Sequence, residues 1–192
     1  MKLKVLSVLI LLSSISFSQN WEINLLKNIN PSQSNSVLQQ NISKSVYPFA
    51  LGTPIALLAT GLIKHDKKLQ QQSYKVVGSL LINTTITLAL KYSIKRQRPY
   101  DEYPAIIKPN NIENDPSFPS GHTSTAFALA TSLSIQYKKW WIVVPAYMWA
   151  GSVGYSRLYL GAHYPTDVLA GAAIGVGSAY LNEWLNKKLF KK

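Results

Sequence analysis

Apolar positions in this chain fall in long blocks. Five of them, Val46–Ile63, Val76–Leu90, Thr123–Tyr137, Trp140–Tyr155 and Val168–Leu185, are separated by polar, Lys-rich or Pro-containing segments. None alternates with the period of two that a half-buried strand requires, and all are rich in Leu, Ala, Ile and small residues, so each predicts a helix. Pro48 and Pro54 lie in the first block, where they kink it or delay its start. Residues 19–45, rich in Asn, Ser and Gln, predict a polar exported arm at the surface, with a short helix over Trp21–Ile29. The pattern predicts an all-α bundle with five or six hydrophobic helices, folded as one domain over residues 46–192.

The first residues add an export signal. Met1-Lys2-Leu3-Lys4 is basic, Val5–Phe17 is apolar, and Ser16 and Ser18 are small residues at the positions a signal peptidase reads. Residues 1–18 therefore predict a signal peptide. The alternative is a short first membrane helix, although thirteen residues reach only about 20 Å against a hydrocarbon core of about 30 Å.

Composition narrows the class. Charged residues make up 15% of the 192, below the roughly 25% of an average soluble domain. The absence of cysteine excludes a disulfide scaffold, a thiolate metal site and a cysteine nucleophile. A net charge of +12 would suit a nucleic-acid partner, but the lysines fall in short clusters between the apolar blocks. With the first hydrophobic stretch directed outward, residues 1–4, 64–75, 138–139 and 186–192 face inward. They carry 12 of the 20 basic residues and a single acid, Asp66, the bias expected of cytoplasmic loops. A multi-pass inner-membrane protein is the expectation, with no nucleic acid and no obligate protein partner. A mean hydropathy of only +0.03, and polar interruptions such as Asn83-Thr84-Thr85, keep a soluble periplasmic bundle as the alternative.

The outward ends collect the unusual residues. Lys91 and Arg98, seven apart, return to one helix face if the helix continues through both, while Pro99 disfavours helix at Arg98. Ser120 and Gly121 open an apolar helix, where an N-cap serine and free N–H groups favour an anion, with His122 beside it. Arg157 precedes His163, and Pro165 starts a helix that places Asp167 in its first turn. Asp167 lies four positions after His163, within reach of its imidazole. Each cluster alone has an ordinary structural explanation. Together, three cations, a helix N-terminus and two of the chain's three histidines suit a tetrahedral oxyanion.

Three segments carry a resemblance: Lys91…Arg98-Pro99, Pro119-Ser120-Gly121-His122 and Ser156-Arg157…His163…Asp167. They match the K-x6-RP, PSGH and SR-x5-H-x3-D pattern, and over about residues 45–185 the chain resembles the type 2 phosphatidic acid phosphatase family. That resemblance implies a helical bundle of the PAP2 and vanadium haloperoxidase type and a phosphatase that uses neither metal nor cofactor. His163 would attack phosphorus, Asp167 orient it, and His122 act as general acid and base. Lys91, Arg98, Arg157, Ser120 and Gly121 would hold the phosphate. The expected substrate is a lipid phosphate or pyrophosphate, hydrolysed on the outer face: polyprenyl pyrophosphate, phosphatidylglycerol phosphate, lipid A or phosphatidic acid. Rival readings are a soluble exported acid phosphatase and a catalytically silent lipid-binding relative. A metal hydrolase built on His122, His163 and Asp167 is disfavoured because the three cations would repel the ion.

Overall fold

The computed structural model describes residues 21–31 and 36–189, so the predicted signal peptide lies outside the described residues. Eight helices and no strand occur among the described residues. A short helix α1 covers residues 21–29. It is followed by α2 (Val37–Lys44), α3 (Val46–Ile63), α4 (Lys67–Ile94), α5 (Pro99–Glu102), α6 (Gly121–Tyr137), α7 (Trp140–Tyr159) and α8 (Pro165–Leu189). The five long helices contain the five apolar blocks; α3 matches its block, and α4 exceeds its own most, by nine residues at the N-terminal end. Pro54 is carried inside α3, and the carbonyl of Pro54 accepts a 2.7 Å bond from the Ser73 hydroxyl of α4.

Local chemistry sets the helix limits. Asp66 caps α4 by accepting from the N–H groups of Lys68 and Leu69. Lys95 adopts left-handed geometry (φ 53°) and closes α4. Lys138 does the same for α6 (φ 50°).

Helix α6 lies at the centre, packed on α8, α7 and α4. Its approach to α8 depends on two glycines. A Cβ at Gly171 would come 2.6 Å from the Ser120 carbonyl oxygen, and one at Gly175 would come 2.8 Å from the Ala128 nitrogen. Small residues permit such close helix contacts in bundles whose interhelical space holds no bulky side chains.

Several of the polar residues within the apolar blocks point inward, Asn83 among them, while its neighbours Thr84 and Thr85 are exposed. Asn83 donates towards Ser124 and Thr125 of α6, at 3.3 and 3.4 Å. Thr87 and Ser124 share a 3.1 Å hydroxyl contact, and Asn182 of α8 donates to the Lys75 carbonyl at 2.8 Å. The outside is apolar instead: Leu51, Ile55, Leu81, Met148 and Leu169 are all more than 60% exposed. Two stretches, Val37–Ile63 and Lys67–Glu102, are long and apolar enough to cross a membrane, and only 22% of the most apolar window in each is buried. Polar groups paired inside and apolar groups turned outward are the arrangement of a bundle seated in lipid.

The N-terminal segment departs from the expected surface arm. Ile23 and Leu26 of α1 enter a buried cluster with Tyr100, Ile107 and Tyr164, and Glu22 is 1% exposed. The apolar face of Trp21–Ile29 drives this docking. The polar composition of residues 19–45 as a whole conceals it.

Candidate active site

The C-terminal end of α4, the N-terminal ends of α6 and α8, and the 103–120 connection meet at one end of the bundle. A cavity of about 500 Å³ opens there, and its lining includes Lys91, Arg98, Gly121, His122, Glu113 and Asp115. At the opposite end, Lys75 pairs with Glu183 at 2.9 Å and the Tyr137 hydroxyl donates to Gln72 at 3.0 Å. The Lys-rich ends are thus gathered together, away from the cavity.

Lys91 and Arg98 converge by a different route from the one their spacing predicts. Helix α4 ends at Ile94, and Arg98 is extended (φ −81°, ψ 155°), as expected of a residue before proline. The chain turns back after Lys95, so the pair meets through the loop. Lys91 Nζ lies 2.8 Å from Asp115 Oδ2, and Arg98 Nη2 lies 2.6 Å from Asp115 Oδ1 and 2.7 Å from Glu113. Arg157 pairs with the other oxygen of Glu113 and donates to Ser43 at 2.8 Å. Two loop carboxylates therefore sit on the three cations. Burial opposes ionisation of Asp115, but the Lys91 ammonium and Arg98 guanidinium outweigh it and hold the carboxyl down at about 2. Glu113 is held below the usual carboxylate range in the same way by Arg157 and Arg98.

His163 stands in the α7–α8 connection, 1% exposed. Its Nε2 faces Arg98 Nη1 at 3.5 Å. A guanidinium only donates, so Nε2 presents its lone pair and the ring proton resides on Nδ1. Nδ1 faces Ser117 Oγ at 3.4 Å and Asp167 Oδ2 at 3.6 Å. The direct Asp167–imidazole bond expected from the spacing is thus replaced by a longer contact. The reason is that Oδ2 already accepts from Ser117 Oγ at 2.5 Å and from the Tyr164 N–H at 2.9 Å. Burial lowers the His163 pKa to about 4; Asp167 opposes that shift, and Arg157 and Arg98 add to it. The imidazole is neutral near pH 7.

Helix α6 begins at Gly121 with Ser120 in the N-cap position, but the Ser120 hydroxyl caps no N–H. It is buried against Thr123 Oγ1 at 2.9 Å, and the Ser120 N–H donates to the Asp167 carbonyl at 3.0 Å. Ser120 thus ties α6 to α8, while Gly121 faces the cavity. His122 follows on the cavity wall, with the Tyr47 ring edge-on at 5.1 Å.

Five polar residues at this end were not among the expected site residues: Glu113, Asp115, Ser117, Arg96 and Glu22, although the three acids fall on the expected outward side. Ser117 adjoins the PSGH segment, and Arg96 lies in the spacer between Lys91 and Arg98. Glu22 is the only acid in the first 45 residues, a signal that was available.

A helical bundle with an apolar exterior brings three cations, two imidazoles and a carboxylate to one end, where Lys91, Arg98 and His122 line the cavity and Arg157, His163 and Asp167 are buried outside its lining. The PAP2 superfamily model matches residues 73–190, and the chain belongs to that superfamily. It is 34% identical over 124 residues to a lipid A 1-phosphatase of Porphyromonas gingivalis, a match covering 59% of this chain and 25% of that one. It is 30% identical over 128 residues to an undecaprenyl-diphosphatase of Sulfolobus acidocaldarius, covering 64% and 59%. The chain therefore spans between a quarter and about three-fifths of the length of these relatives. A transmembrane PAP2-type phosphatidylglycerolphosphate phosphatase from Bacillus subtilis shares the fold, with TM-score 0.72 and 24% identity, covering 96% of this chain and 94% of that one.

Proposed function

We propose that the chain is a lipid phosphatase that removes the terminal phosphate from a lipid phosphate or pyrophosphate by way of a phosphohistidine. His163 Nε2 attacks phosphorus as the P–O bond to the leaving group breaks, and His122 gives that oxygen a proton. His122 then takes a proton from water, which attacks the phosphohistidine, breaks the P–N bond and releases phosphate. Lys91, Arg98, Arg157 and the Gly121 N–H stabilise the charge spread over the phosphoryl oxygens. Ser120 contributes by holding the start of α6 against α8. Asp167 supports the Nδ1–H tautomer that leaves Nε2 free. The three cations disfavour a metal ion at the same place.

The observation that carries the lipid reading is the rim of the cavity. Tyr47 and Leu88 line it and are 57% and 45% exposed on the apolar exterior, so a phosphate can reach the cations while its tail stays in hydrocarbon. The names of the two enzyme relatives support a lipid-borne phosphate. The Lys-rich opposite end supports a multi-pass inner-membrane placement with the cavity on the periplasmic face.

The test is phosphate release by the purified chain from a diacylglycerol phosphate, a prenyl pyrophosphate and a lipid-linked glucosamine phosphate. At least one should be hydrolysed by the wild type and none by His163→Ala, with acid-labile phosphate trapped on His163. Turnover by His163→Ala at the wild-type rate, or label on His122 in its place, would refute the assignment.

A further inference from the structure

Behind Asp167 lies a partly buried ionic chain whose other members, Arg96 and Glu22, are not fixed positions of the three motifs. Arg96 Nη1 is 2.8 Å from Asp167 Oδ1, and Arg96 Nη2 is 2.8 Å from Glu22 Oε2. The other Glu22 oxygen accepts from the Thr166 N–H at 3.0 Å and from the Thr166 hydroxyl. The Arg96 guanidinium carbon lies over the Tyr164 ring, 3.8 Å from its centroid. Its backbone carbonyl accepts from the N–H of Ser117 at 2.9 Å, the residue whose hydroxyl lies between Asp167 and His163. Glu22 in α1, Arg96 after α4 and Thr166–Asp167 in α8 thus close one ring of contacts.

We propose that Glu22 and Arg96 are positioning residues, which lock the Asp167 carboxylate and through it orient the His163 imidazole. This rests on the reading of His163 as the attacking group. A carboxylate held only at Oδ2 could swing about its terminal torsion; the Arg96 contact at Oδ1 removes that freedom. Arg96 in turn spends Nη1 on Asp167 and the Thr166 hydroxyl, at 2.8 and 2.7 Å, and Nη2 on Glu22, so Glu22 holds the second edge of the guanidinium. Docking of α1 does not require the pair, because Ile23 and Leu26 already bury themselves against Tyr100, Ile107 and Tyr164. Two buried carboxylates and a guanidinium also cost desolvation energy that an apolar contact would avoid. Their placement against Asp167 points to function.

Glu22→Gln keeps an acceptor for the Thr166 N–H and removes the charge that holds Arg96. With the full chain in detergent and the panel lipid it hydrolyses fastest, kcat should fall about 10–100-fold, the usual cost of losing a partner that orients a working side chain. KM should change less than about threefold, because neither residue touches the cavity. In an Asp167→Asn background the same substitution should lower kcat by less than about twofold, since its effect passes through Asp167. Arg96→Lys should retain more activity than Arg96→Met, and it carries the test should Glu22→Gln not accumulate. An equal loss of kcat in both backgrounds, an unchanged kcat, or a rise in KM alone would overturn the proposal. His163→Ala assayed alongside separates the two levels. If it turns over, the reading of the nucleophile has failed. If it is inactive while Glu22→Gln and Arg96→Met keep the wild-type kcat, only the positioning role has failed.

Discussion

Glu113 and Asp115 occupy the three cations to which the proposed function assigns the phosphoryl ligand. Each cation of the cradle already has a carboxylate partner, so an arriving oxyanion competes with the loop for Lys91, Arg98 and Arg157. Removing one carboxylate leaves a guanidinium in need of an anion, and breaking one side of a charge pair acts strongly on whatever replaces it. Glu113→Gln should therefore tighten inhibition by vanadate about tenfold, or about 1.4 kcal/mol. Acidification through the ordinary carboxylate range does not substitute for the mutation, because Arg157 and Arg98 outweigh burial and hold Glu113 below that range. Vanadate inhibition that is unchanged or weaker in Glu113→Gln would show that the loop leaves the cradle without cost.

At the scale of elements, the alignment of the site depends on how closely α6 lies against α8. Ser120, at the head of α6, is tied to the carbonyl of Asp167 in α8, and Gly171 one turn further on leaves room for that approach. Gly175 does the same near Ser124 and Ala128. A methyl group at either position meets backbone atoms that cannot rotate away. Gly175→Ala should cost roughly 1–3 kcal/mol of stability by overpacking, read as a lower thermal midpoint in detergent. Gly171→Ala should lose activity out of proportion to its midpoint, because it displaces the turn that carries Gly121 and His122. Equal activity in the two variants, once corrected for the folded fraction, would count against this account.

For the whole molecule, the charge balance of the two ends implies an orientation. The cavity end offsets eight basic residues with six acids, Glu22, Asp101, Glu102, Glu113, Asp115 and Asp167, whereas the Lys-rich end has only Asp66 and Glu183. If the Lys-rich end faces the cytoplasm, a membrane-impermeant thiol reagent should label Ile112→Cys, exposed near the cavity, in cells with a permeabilised outer membrane. It should leave Gln71→Cys unlabelled until the inner membrane is broken. The chain has no native cysteine to confuse the result. The reverse pattern would invert the orientation. Labelling of both, with release by osmotic shock, would indicate a soluble exported bundle and would remove the main support for a lipid substrate.

The sequence by itself determined the helical class, the five long helices and the residues proposed to carry the chemistry. Apolar blocks without two-residue alternation form helices whatever their neighbours, and Asp66 and Pro165 act on the backbone next to them. The three motifs were equally legible, because Lys91, Arg98, Gly121, His122, Arg157, His163 and Asp167 are residue types whose chemistry is visible one at a time. Tertiary structure alone decided what each of them touches. Arg98 reaches Lys91 only because α4 stops at Ile94 and the chain doubles back. Ser120 faces Thr123 instead of an N–H, and Ser117 enters between His163 and Asp167. Glu22 meets Thr166 from 144 residues away, and Arg96 meets Asp167 from 71. Contacts at such separations come from how helices pack, which depends on the volumes and faces of many side chains at once. No local pattern encodes them, so the residues that set the geometry of the site were hidden while those proposed to carry its chemistry were not.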